Sequence, residues 1–408
     1  MGNTSSNSAG NVSQVVGNRW SRRSFVTAMG AAAAACTLGG CSSMKGPSVN
    51  LSKAGIQKCT FGTLPNGAKI DQYVVTNGNG MMLSMITFGA RWTQLVMPDK
   101  KGTPGDIILG FNELKPYLHH KTDPYFGATI GRYANRIAKG RFTLDGKTYQ
   151  IPVNDHGNAL HGGPHAYDEQ VWMAEEVEEW GNYGVRFRYY SPDMQNGFPG
   201  LVLNTVTYML NKDNTIHARY RANTTKPTII NLTNHAYYNL NGPGKKVLDH
   251  VLEVNADHYT PVDKLMIPTG EIASVVGTPL DFRKPTAVGA RLQHFAGKGD
   301  PHALPFGYDY NWCLNGPMGK MSLCSRCTAP ATGRVLEVYT TQPGVQIYTG
   351  NFLDGSIKGI GGTYPYHGAI TFETQHYPDA PNHSNFPSTV LQPGSMYHEK
   401  TCFKFSTV

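Results

Sequence analysis

Charge is sparse in this chain, cysteine is scarce and no apolar run is long. Only 16% of the 408 residues are charged against 40% hydrophobic, a balance that suits one large or two ordinary globular domains with ample core. No Lys/Arg stripe interleaved with aromatics occurs, which argues against nucleic acid as a partner. The G-x-S-x-G elbow, the P-loop and the dinucleotide-binding glycine fingerprint are missing, and Gly78-Asn79-Gly80 is only a turn. There is no long stretch of period 3.6 and no internal repeat, so helical bundles and solenoids drop out. Of the seven cysteines, Cys324 and Cys327 form a single C-x-x-C. No second pair and no histidine pair at zinc spacing accompany it, which excludes a zinc site there. Its oxidation state is open.

The longest apolar stretch, Phe25 to Leu38, is shorter than the roughly 20 residues of a spanning helix. It follows the twin arginines Arg22-Arg23 and ends in Leu38-Gly39-Gly40-Cys41. Residues 1–40 read as an export signal of the twin-arginine type. Leu38–Cys41 resembles a lipobox, which implies lipidation at Cys41, an exported, periplasmic location and membrane attachment through that lipid only; the other reading is a plain cleaved signal with an incidental Cys41. Residues 1–40 also hold three arginines and no acid, and taking those three from the formal +8 leaves +5. Residues 41–57 read as a linker, and residues 58–408 as a single domain.

What is abundant is glycine (46) and proline (26), the punctuation of many turns and hence of β structure. Leu64–Ala68 contains an Asn-Gly turn. Arg141–Ile151 contains Asp145-Gly146 between alternating arms, a hairpin signal. Val185, Phe187 and Tyr189 alternate with arginines; Ile216, Ala218, Tyr220 and Ala222 alternate with His217, Arg219 and Arg221. Val202, Val206, Tyr208 and Leu210 share a face, and Val335–Tyr339 and Val345–Tyr348 continue the pattern. Each is a period-2 strand. The predicted fold is all-β: one large antiparallel domain, built as two packed sheets. The acidic run Glu175–Glu179 reads as a solvated strand end.

Several runs can carry chemistry. Glu373 follows the apolar approach Ala369–Phe372 and opens into a polar, Pro-rich turn. His235 sits in Asn231-Leu232-Thr233-Asn234-His235-Ala236-Tyr237. A carboxyl and an imidazole can exchange the roles of proton donor and acceptor. Arg136 beside Asn135 offers donors to hydroxyl oxygens. His161 and His165 have a zinc-like spacing that needs a helix, and Gly162-Gly163-Pro164 forbids one, so no metal is expected. His161 in its Gly-rich loop can approach a ligand closely. Asp309, among aromatics, can accept from sugar hydroxyls while the rings face an apolar sugar side, and Gln346 alternates with apolar neighbours. The remaining histidines, His119 and His120 among them, have no partner at useful spacing and read as surface or structural residues.

In this order, Gly131–Gly140, Leu160–Gly163, Asn231–Tyr237, Gly307–Asp309, Gln342–Gln346 and Phe372–Gln375 resemble the segments of the aldose 1-epimerase (galactose mutarotase) family, over about residues 58–406. The resemblance implies a β-supersandwich, an isomerase and a monosaccharide substrate such as galactose or glucose. It implies Glu373 as an ionised general base on the anomeric hydroxyl and His235 as a charged acid at the ring oxygen. Asn135, Arg136, His161, Tyr237, Asp309 and Gln346 would bind hydroxyls, and neither metal nor organic cofactor is called for. Two alternatives stand beside it: a sugar-binding lipoprotein without catalysis, and a sugar-phosphate 1-epimerase. The preferred aldose and the oligomeric state are not written in the sequence.

Overall fold

The computed structural model describes residues 49–295 and 307–408. Residues 1–40, which read as an export signal, and Cys41 lie outside the described residues. Every helix among them is a short 3-10 turn, the longest being Val288–Phe295; strands carry the fold, in agreement with the all-β expectation.

The first five strands, Ala54–Thr63, Lys69–Asn77, Met82–Ile86, Arg91–Pro98 and Pro104–Asp106, form a sheet in sequence order. Ala54 to Gln57, which the sequence placed in a linker, already pair with Asn77 to Val74. This strand ends its sheet and is held by backbone bonds with half-exposed side chains, so it shows little alternation. A nine-stranded antiparallel sheet follows. Met173–Glu179, Asn182–Ser191, Val202–Leu210 and Thr215–Thr224 run in sequence order. The C-terminal strand Tyr397–Thr407 then inserts between Thr215–Thr224 and Arg334–Thr340, joining the two halves of the chain. The third sheet orders Ala273–Ser274, His258–Thr260, Asp309–Cys313, Gly344–Tyr348 and Glu373–Gln375. Three larger sheets, rather than two, share the work of enclosing the core.

The period-2 faces land as expected: Ile216, Ala218, Tyr220 and Ala222 are buried while Arg221 is exposed. They join one cluster with Trp92 of the first sheet and Ile347 of the third. Trp92 stands edge-on to Tyr208 and Phe403, with ring centroids 5.1 and 5.5 Å away. Burial of such large side chains, about 1.5–3 kcal/mol each, holds the sheets face to face. In the acidic run, Glu175 pairs with Arg186 and Arg188, and Glu179 with Arg219. These half-exposed pairs add little stability. Cys324 and Cys327 are buried free thiols, both pushed up to about 12 by burial. A bulge between Leu323 and Ser325 lies at the first of them.

Candidate active site

Register brings the site together. Tyr237 pairs with Thr371, and Tyr238 with Ile370. Carrying that antiparallel register on by two residues sets His235 opposite Glu373 on one face. The observed contact is His235 Nε2 to Glu373 Oε1, 3.3 Å. Glu373 also pairs with Gln346, whose other neighbour is Asn311. Asp309, two residues from Asn311, shares its face, and Gln346 Nε2 donates to Asp309 Oδ1 at 2.7 Å. On the other side, Arg136 pairs with Leu160, which aligns Asn135 with His161. The His161 N–H donates to the Asn135 carbonyl at 3.0 Å. In return the Asn135 N–H donates to His161 Nδ1 at 3.1 Å. An Nδ1 that accepts carries no hydrogen, so His161 presents Nε2–H as a donor.

Asn135, Arg136, His161, His235, Tyr237, Gln346 and Glu373 are all buried, and Asp309 is half-exposed. The site is polar yet withdrawn from bulk water, and its protonation follows. Burial, with the nearby Asp309 charge adding, pushes the Glu373 carboxyl up to about 8; Thr371 and Arg136 pull the other way. Burial pushes His235 down to about 3. His161 is also held well below its usual value, by burial first and then by His235 and Arg136. The expectation was an ionised Glu373 facing a charged His235; burial instead favours the neutral form of each. The carboxyl keeps the proton and the imidazole is neutral, because neither charge is solvated. The pair still holds one shared proton between about pH 3 and about 8.

Three buried polar atoms here lack a hydrogen-bond partner: Glu373 Oε2, His235 Nδ1 and Gln346 Oε1. Buried polar atoms without a partner are costly, and these three, gathered around the acid and the base, are available to a ligand's hydroxyls. The Tyr237 hydroxyl, by contrast, donates to the Pro124 carbonyl at 2.9 Å. What Tyr237 offers is its ring, 5.1 Å from that of His235. Arg136 Nε is tied to Asp155 Oδ2 at 2.8 Å. His161 and His165 part company: the latter is exposed and its Nδ1 meets Glu169.

Four participants were not read from the sequence. Thr371 Oγ1 donates to Glu373 Oε1 at 3.1 Å; its place two residues before Glu373, on the same strand face, was the available signal. Tyr348, two residues after Gln346, packs its ring 5.8 Å from Tyr237, and the same alternation pointed to it. Asp155 and Tyr125 carried none. The Tyr125 ring lies 4.7 Å from His161 and 5.9 Å from His235. Two groups among the described residues have the spacing of metal ligands: His161, His235 and Glu373, and His120, Asp168 and Glu169.

A family model described as aldose 1-epimerase matches residues 71–404. Galactose mutarotase from Bos taurus is 44% identical over 353 residues, covering 86% of this chain and 98% of the relative. An aldose 1-epimerase from Haemophilus influenzae is 36% identical over 354 residues, covering 86% and 99%. Among solved structures, a GalM/aldose epimerase homologue from C. elegans superposes with a TM-score of 0.73 at 30% identity, covering 87% of this chain and all of that one. Galactose 1-epimerase from Lactobacillus acidophilus gives 0.75 at 27% identity, covering 87% and 99%.

Proposed function

The chain belongs to the aldose 1-epimerase family, and on that premise we propose that it interconverts the α and β anomers of a free aldose such as galactose or glucose. The contact of His235 Nε2 with Glu373 Oε1 at 3.3 Å carries the reading. Ring opening removes a proton from the anomeric hydroxyl and delivers one to the ring oxygen, two atoms on the same carbon. An acid and a base this close can reach both. Because the pair holds one shared proton, it gives one and takes one with no change in total charge.

We assign Glu373 as the base and His235 as the acid. This direction requires the shared proton to pass from carboxyl to imidazole when sugar binds. Sugar hydroxyls donating to the orphaned Glu373 Oε2 favour that shift by stabilising the carboxylate. The C1–C2 bond then turns, and the reversed transfers close the ring on the other face of the carbonyl. His161 donates through Nε2–H, Gln346 accepts through Oε1, and Asp309, Asn135 and Arg136 hold further hydroxyls. Tyr237 walls the site. Charge on the opening ring oxygen is met by His161 and Arg136. Proton transfer and bond rotation call for no cofactor.

Polarimetry of fresh α-D-galactose tests this. The wild type should speed mutarotation, and Glu373→Gln should lower kcat by about 10²–10⁴-fold, the span of one acid–base group. An undiminished rate in that variant would remove Glu373 from the chemistry.

The order Arg22-Arg23, apolar run, Leu-Gly-Gly-Cys supports a second proposal, that the protein is exported and anchored through a lipid on Cys41. Wild type should partition into detergent with membranes and Cys41→Ser into the soluble fraction. Wild type found wholly soluble would sink the anchor.

A further inference from the structure

Next to the sugar site stands a second group of ligating side chains that the proposed reaction does not use. The sequence reading gave His120 no partner; the fold gives it two. Its Nε2 lies 2.8 Å from Glu169 Oε1 and 3.6 Å from Asp168 Oδ2. One ligand atom from each of the three residues lies within 4.8 Å of the others. His165 Nδ1 adds a contact of 2.5 Å to Glu169 Oε2.

Two independent observations point to a ligand. First, the Asp168 side chain is 2% exposed and its Oδ2, aimed at His120, has no hydrogen-bond partner. A buried carboxylate oxygen is costly to leave unmatched. Secondly, His120 Nδ1 lies 3.4 Å from the backbone carbonyl of Asp123. A carbonyl only accepts, so Nδ1 carries a hydrogen, and Nε2, 2.8 Å from Glu169 Oε1, faces the carboxylates, where a cation would replace its proton.

We propose that His120, Asp168 and Glu169 bind a divalent transition-metal cation, zinc foremost. Tetrahedral zinc with bonds of about 2.1 Å spaces its ligand atoms about 3.4 Å apart. The separations of 2.8 and 3.6 Å straddle that figure, so small side-chain shifts suffice. Imidazole with carboxylates is a donor set that zinc accepts. The cation takes the place of the proton that bridges His120 and Glu169. Arg91, whose Nη2 donates to the Asp168 carbonyl at 3.2 Å, has its own charge met by Asp123 at 2.6 Å. It therefore sets no unpaired positive charge against the cation. The neighbouring Tyr125 ring lies 4.6 Å from His120 and 4.7 Å from His161, so a cation here steadies a wall of the sugar site.

Calorimetric titration of zinc chloride into metal-free full-length protein tests the proposal. Wild type should bind one zinc per chain. His120→Ala and Glu169→Gln should each weaken binding by more than about tenfold. Glu373→Gln, and wild type saturated with galactose, should bind as before. His120 is 42% exposed, and circular dichroism checks that its variant folds. The proposal is overturned if wild type binds no zinc, or if both His120→Ala and Glu169→Gln bind as wild type does. It is overturned equally if galactose or Glu373→Gln abolishes binding, because the cation then sits on the His161, His235 and Glu373 group.

Discussion

Glu373 and His235 owe their protonation to burial more than to each other. With both groups desolvated, the neutral forms win, and the hydrogen bond from Thr371 is one of the few forces favouring the carboxylate. Thr371→Val removes that donor while keeping the shape. The carboxyl should then hold its proton to higher pH, and the alkaline limb of kcat/KM, expected near the value of about 8 in wild type, should move upward. A pH–rate profile checks this; a limb that stays or moves down contradicts it. His161 shows the same economy of local bonds. Its tautomer is set by one backbone N–H, that of Asn135, and not by any charge.

At the scale of elements, the turn Asp145-Gly146 closes a hairpin in which Leu144 pairs with Lys147. Both turn residues have positive φ, 50° and 75°, the type I′ geometry that matches strand twist. A Cβ on Gly146 would meet nothing within 4 Å, so Gly146→Ala carries a purely conformational cost. Urea unfolding should show a loss of about 1 kcal/mol; an unchanged midpoint would mean that the arms, not the turn, fix the hairpin. A different pairing, Tyr237 with Thr371, has the opposite character. It is two residues long and has no turn of its own, yet its register sets the acid opposite the base.

Over the whole molecule, buried titratable groups shape stability. Asp106 and Glu399 are pushed up to about 7 and Glu373 to about 8, each chiefly by burial. Their folded values exceed the unfolded ones, so their contribution is full below about 4.5 and lost as pH rises towards 8. His235 and His376 are pushed down to about 3 and about 4. Theirs is full above about 6.5 and lost as pH falls through those values. The urea midpoint should therefore peak between about pH 4.5 and 6.5, and a steady rise to pH 8 would contradict the assignment. The strands with period-2 faces, the hairpin turn and the segments holding Glu373, His235 and His161 were legible in the chain itself. They were legible because alternation and turn chemistry are set by neighbours a few residues apart. Asp155 under Arg136, Tyr125 between the histidines and the partners of His120 were not, nor was the proton on Glu373. Those depend on which distant strands pair, in what register, and how much water the packing expels, and only the folded chain decides that.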